Sequence, residues 1–118
     1  MNVGNLGKLY KDGEVIIKSG EVGTCMYVVQ EGDVDVCLEK DGQEIIVTQL
    51  HKGDFFGEMA IFEHELRSAT VKAAGSVHVL TVDKSNLLRR IQEDPSLAFR
   101  IVQMLSHRLR DLNKRTVK

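Results

Sequence analysis

Between residues 7 and 83 apolar and polar positions alternate with a period of about two, interrupted by six glycine-bearing polar clusters: "KDGE", "KSGEVG", "QEGD", "EKDGQE", "HKGD" and "AAGS". Val, Ile, Tyr and Thr flank the clusters, and such residues suit a pleated, half-buried surface joined by tight turns. Short strands at this spacing imply an all-β sandwich, roll or barrel. The clearest hairpin joins "DVDVCLEK" to "QEIIVTQL" through "KDG". In its first strand Val34, Val36 and Leu38 share a face; in its second, Ile45 and Val47 share one face, Ile46 and Leu50 the other.

From Asp83 the apolar period lengthens to about 3.6. "DKSNLLRRIQED" predicts a helix of about two turns that stops before Pro95, with Asp83 or Ser85 able to cap its start. A longer helix is expected over "PSLAFRIVQMLSHRLRDLN". Along it Ala98, Val102, Leu105, Leu109 and Leu112 are spaced four, three, four, three, the a/d seam of paired helices, while Ile101 and Met104 widen the apolar face. Such a stripe can cover the β layer, meet the same helix of a second subunit as a homodimer, or do both.

The whole chain, 118 residues, is long enough for one core. We therefore expect a single domain over 1–118, its β part at about 7–83 and its C-terminal helices at about 84–113. Lys and Arg total 16 against 17 Asp and Glu, so global charge predicts neither a nucleic-acid nor a membrane partner. Apolar runs fall short of the roughly 18 residues of a membrane span, and the first residues lack a basic-then-apolar signal, so a cytoplasmic protein is expected. Cys25 and Cys37 stand inside strand-like runs without metal-ligand spacing and read as two reduced, semi-buried thiols.

The segment "GDFFGEMAIFEHELRSATVKA", residues 53–73, departs from plain alternation. A strand ending at Phe56, then Gly57, then "EMAIF" reads as a strand-to-helix turn, with amides of Glu58, Met59 and Ala60 left to point outward. Amides at a helix start attract an anion. Arg67 follows nine residues after Glu58, with Ser68 beside it. Its guanidinium can hold two phosphate oxygens in a planar fork, and a hydroxyl can complete their hydrogen bonds. Glu58 would repel a phosphate but, as a pure acceptor, suits a sugar hydroxyl. Without a GxxxxGK[ST] loop or a Mg²⁺-binding carboxylate set, the pattern fits a monoanionic phosphodiester better than ATP or GTP. An ordinary surface ion pair between Glu58 and Arg67 is the plainer reading of the same residues.

This segment resembles the phosphate-binding cassette of cyclic nucleotide-binding domains, the family of the catabolite activator protein, cyclic-nucleotide-dependent kinases and cyclic-nucleotide-gated channels. The resemblance extends through "GEVIIKSGEVGTCMYVVQEGDVDVCLEKDGQ" and "LSHRLRDLN". It implies an eight-stranded β-roll, or double-stranded jelly roll, with a short cassette helix and two C-terminal helices. It also implies that Gly57, Glu58, Met59 and Ala60 contact phosphate and ribose, with Glu58 on the 2′-hydroxyl. Arg67 would bind the cyclic phosphate, assisted by Ser68 and the Ala69 backbone. The ligand would be cAMP or cGMP, with cAMP favoured by family frequency. Asn113 lies where the family covers the purine from the C-terminal helix, and its amide can satisfy either base. The proline often found before the arginine is Leu66 here, and His64 lies in the same loop.

Other residues yield weaker chemistry. His51, His64, His78 and His107 are too scattered for a metal site, and none is expected. No nucleophile stands beside a base, so catalytic residues are not expected and the chain reads as a sensor, not an enzyme. "HRLRDLNKRTVK" carries five Lys or Arg against one Asp, which a helix C-terminus favours without any nucleic acid. The competing reading is a ligand-free dimerisation or docking module with a degenerate cassette, held together by the 98–112 seam.

Overall fold

The structure is a computed structural model that describes residues 7–58, Ile61 and 67–116, the last five of these by their backbone. Its strands are β1 (Gly7–Tyr10), β2 (Val15–Ile17), β3 (Cys25–Lys40), β4 (Gln43–Leu50), β5 (Phe55–Phe56) and β6 (Thr70–Asp83). Two helices follow, α1 (Lys84–Glu93) and α2 (Ser96–Thr116). The chain divides into two compact units, one ending at Lys84 and the other beginning at Ser85.

All strand pairs are antiparallel, ordered β1-β6-β3-β4, with β2 on β6 and β5 on β3. The expected mainly-β roll with two C-terminal helices is therefore present. Among the described residues it has six continuous strands, because β3 and β6 each run unbroken through a glycine in the left-handed region, Gly32 (φ 88°) and Gly75 (φ 80°). The β3–β6 register slips in the stretch that holds these glycines, between Glu31 opposite His78 and Asp33 opposite Ala74. Dividing both strands there restores the eight segments of the roll. Gly32 also has no room for a side chain, since a Cβ would lie 2.4 Å from the Ser76 carbonyl oxygen.

The glycine at the tip of each of the six clusters adopts positive φ; Gly13, Gly20, Gly42 and Gly53 sit in turns between strands, whereas Gly32 and Gly75 lie inside β3 and β6. In the hairpin Asp41 (φ 54°) and Gly42 (φ 77°) make a two-residue loop closed by Lys40 opposite Gln43. Two successive left-handed residues match the twist of the flanking strands. Beyond the loop the register shifts between Val36 and Cys37: Val36 faces Thr48, Cys37 faces Ile46, and Val47 is the extra residue. The shift turns Cys37 inward beside Val34, and both are buried, while Leu38, Ile45 and Ile46 stay exposed. Burial holds the Cys37 thiol above its usual pKa, and Cys25 and Cys37 are both free thiols. Among the described residues β4 pairs only with β3 and so forms an edge strand.

The core consists of Ile17, Val29, Val34, Phe56, Val71, Ala73, Val77 and Val79, flanked by Tyr10, Ile16, Tyr27, Val36 and Leu50. Burying each valine side chain contributes about 1.5–3 kcal/mol relative to exposure. Because Val29 in β3 and Val77 and Val79 in β6 are among the most deeply buried, the two long strands form the rigid frame from which the loops project. Backbone bonds from Val29 N–H to the Asp54 carbonyl (2.9 Å) and from Gly53 N–H to the Val29 carbonyl (2.8 Å) tie the entry to β5 onto that frame.

Asp83 closes β6 and stands just before α1, which ends ahead of Pro95 as the sequence predicts. Asp94 organises the start of α2: its Oδ1 accepts from the Ser96 amide (3.2 Å) and hydroxyl (2.5 Å), and its Oδ2 lies 3.4 Å from Arg100 Nη2. The Ser96 bonds, with the nearby Arg100 charge, hold the Asp94 carboxyl below its usual pKa. Along α2, Ile101 is buried, Ala98, Met104 and Leu105 are half-buried, and Val102 and Leu109 are exposed at 61% and 60%. The Leu112 side chain lies outside the described residues.

Candidate functional site

The short strand β5 delivers two buried phenylalanines and then reverses at Gly57, whose φ of 78° only glycine adopts without strain. Phe56 is stacked on Tyr27 of β3, ring centroids 5.2 Å apart and planes inclined by 17°. Gly57 therefore begins its turn from a fixed platform. Its carbonyl accepts a hydrogen bond of 2.9 Å from Arg67 Nη1. The sequence-predicted glycine and arginine thus converge across ten residues. A Cβ on Gly57 would stand 2.7 Å from Arg67 Nη1 and 3.0 Å from Ile17 Cδ1, so close approach as well as φ requires glycine.

Arg67 is held by backbone at both ends. Its amide donates to the Glu21 carbonyl and its carbonyl accepts from the Gly20 amide, each at 2.8 Å, and the Ser19 amide donates to Thr70 Oγ1 at 3.1 Å. This zips the residues entering β6 onto the β2–β3 loop. At the side-chain end Nη2 donates to the Cys25 carbonyl at 2.8 Å. Charge-assisted bonds of this kind each contribute about 1.5–3 kcal/mol. They use two of the five N–H donors of a guanidinium. The Arg67 Cζ also lies 5.8 Å from the Tyr27 ring centroid, at the outer limit of a cation–π contact.

Tyr27 is itself constrained. Burial first, and then the neighbouring Cys25 side chain, push its pKa up to about 12, against a smaller lowering by Arg67. The ring thus remains neutral beside the guanidinium throughout the physiological range.

Of the other expected site residues, Glu58 is half-buried in the turn after Gly57, and its carbonyl accepts from the Ile61 amide at 3.0 Å. That bond and the helical Ile61 are the described part of the cassette helix. Met59 and Ala60 lie outside the described residues, as do His64 and Leu66. Ser68 is exposed and Ala69 half-buried on the approach to β6. Asn113 belongs to α2 by its backbone, and its side chain lies outside the described residues. Sequence reasoning missed Gly23, the Cys25 carbonyl and Tyr27, all of which meet Arg67. A carbonyl has no sequence signature, whereas the second glycine of "KSGEVG" was a signal read only as part of a turn.

Among the described residues no group of three His, Cys, Asp or Glu could hold a metal ion. Among them, too, no helix is long and apolar enough to cross a membrane. What the site offers is a positioned cation beside a glycine turn, which is anion-binding chemistry.

Comparison with known proteins agrees. A family model described as the cyclic nucleotide-binding domain matches residues 8–94. The chain is 41% identical over 104 residues to a putative potassium channel protein of Rhodopseudomonas palustris, covering 86% of this chain and 24% of that protein. It is 43% identical over 72 residues to the cAMP-dependent protein kinase type II regulatory subunit of Drosophila melanogaster, covering 61% of this chain and 19% of that one. The fold is similar to the crystal structure of the Thermus thermophilus catabolite activator protein. The TM-score is 0.81 at 29% identity, over 92% of this chain and 52% of that one.

Proposed function

The chain belongs to the cyclic nucleotide-binding domain family, and on that premise we propose that it binds one cyclic mononucleotide, cAMP in preference to cGMP, and relays binding through its C-terminal helices. The observation that carries this reading is the convergence of Arg67 on Gly57. Arg67 supplies the fork for two oxygens of a cyclic phosphate, with donors beyond the two given to carbonyls. Amides from Gly57 through Ala60 supply dipoles to the same phosphate, and Ser68 and the Ala69 backbone complete it. Glu58 accepts from the ribose 2′-hydroxyl.

The preference for cAMP draws on the Drosophila relative, which is named for cAMP dependence and as a regulatory subunit. Asn113 covers the purine with a donor and an acceptor. In this reading 1–118 is one sensor module, with the roll over 7–83 and the helices over 84–113. The ligand moves those helices only in so far as it contacts their two positions differently. The exposed stripe through Val102 and Leu109, continued by Ala98, Leu105 and Leu112, pairs with the same stripe of a second copy. That stripe would serve equally in a docking module without a ligand, the second reading.

Calorimetric titration with cAMP and with cGMP separates the two readings. Saturable heat is expected with both nucleotides, at lower concentration for cAMP, and Arg67→Ala should weaken binding more than about tenfold through loss of charge-assisted bonds. No heat and no thermal shift with either nucleotide at millimolar concentration would leave the docking module. Full affinity in Arg67→Ala would put the site elsewhere.

A further inference from the structure

Seven of the described glycines adopt positive φ and so have a backbone reason to be glycine. Gly23 does not: its φ lies outside the left-handed region, where any L-residue is at ease. What a side chain there would meet first is Arg67. A Cβ at position 23 would stand 2.1 Å from both Cζ and Nε of Arg67 and 2.4 Å from its Nη2. Those atoms are the end of a flexible side chain, so a methyl group at 23 is accommodated by moving the guanidinium and not by moving a strand.

We propose that Gly23 and Tyr27 are positioning residues for Arg67, which set the guanidinium where it meets the anion and have no direct bond to the ligand. Three kinds of contact define the placement. The carbonyls of Gly57 and Cys25 accept from Nη1 and Nη2 and fix the guanidinium at those two nitrogens. The Tyr27 ring, held by Phe56, lies 5.8 Å from Cζ. The bare Cα of Gly23 leaves the space that Cζ, Nε and Nη2 occupy. A guanidinium free to rotate would retain its charge but lose the fork geometry that recognises two oxygens at once. The ring is the working part of Tyr27, because the cation faces its π-system.

The inference rests on the anion-binding reading for its consequence, but not for its geometry, and the experiment keeps the two apart. The Nε–H resonance of Arg67, assigned by its loss in Arg67→Ala, reports guanidinium order without any nucleotide. In the parent chain it should be resolved and slow to exchange with water. Gly23→Ala and Tyr27→Leu should each return it to the shift and exchange rate of exposed arginines, while Tyr27→Phe preserves it. An unchanged Arg67 signal in Gly23→Ala would overturn the proposal whether or not a nucleotide binds. Titration with cAMP then reads the consequence. Gly23→Ala should weaken binding about tenfold or more, Tyr27→Phe less than about twofold, and in an Arg67→Ala background Gly23→Ala should cost nothing further. Equal losses with and without the guanidinium would mark Gly23 as a structural residue only. Absence of cAMP and cGMP binding in the parent would count against the nucleotide reading and leave the resonance to decide the positioning role.

Discussion

His51 illustrates how single residues set local chemistry at the turn that precedes β5. Its Nδ1 lies 2.7 Å from Asp33 Oδ1, and its amide donates to Asp54 Oδ2 at 2.9 Å. The bond to Asp33, with the charges of Asp33 and Asp54, raises the imidazole pKa above its usual 6.5, against a smaller lowering by desolvation. A group whose folded pKa is raised stabilises the fold fully below its unfolded value and loses that contribution as pH rises through the folded value. A proton titration followed by NMR should therefore give His51 a midpoint above 6.5, and Asp33→Asn should bring it back toward that value. A parent midpoint at or below 6.5 would show that the pair does not persist in solution. Both groups are more than half exposed, so the effect on overall stability will be small.

At the scale of elements, the hairpin of β3 and β4 separates what pattern can decide from what pairing decides. Its turn was legible because Asp-Gly between alternating strands has few other conformations. Its buried face was not, because the bulge at Val47 depends on which partner residue each strand meets. Val34 is fully buried, whereas Ile46, the larger side chain, is 57% exposed. Val34→Ala should thus cost about 2 kcal/mol of unfolding free energy in urea, through lost burial and the cavity left behind. Ile46→Ala should cost about 0.5 kcal/mol or less. Similar losses at both positions would contradict the register. The candidate site divides in the same way. Gly57 and Arg67 were readable from residue types and spacing, while the Cys25 carbonyl and the steric role of Gly23 emerge only when β3 is laid beside the entry to β6.

On the scale of the whole molecule, a net charge of −1 leaves little long-range repulsion to keep two copies apart. In the proposed dimer the exposed Val102 and Leu109 on α2 would form the seam. Sedimentation should show a species of twice the 13.2 kDa chain mass, reduced to one chain in Leu109→Glu. A monomeric parent, or an unchanged dimer in Leu109→Glu, would remove the seam from the proposed assembly. The matching stretch makes up 24% of the putative potassium channel protein and 19% of the kinase regulatory subunit.

The open edge at β4 has a further consequence, for colloidal behaviour. Its outward backbone groups and the exposed Ile45 and Ile46 form a template onto which a partly unfolded chain can add a strand. Glu39 and Lys40 before the turn, Glu44 paired to Lys72, and the irregularity at Val47 are the features that oppose such growth. Neutralising these charges is therefore expected to raise aggregation, read by light scattering, while leaving the unfolding free energy nearly unchanged.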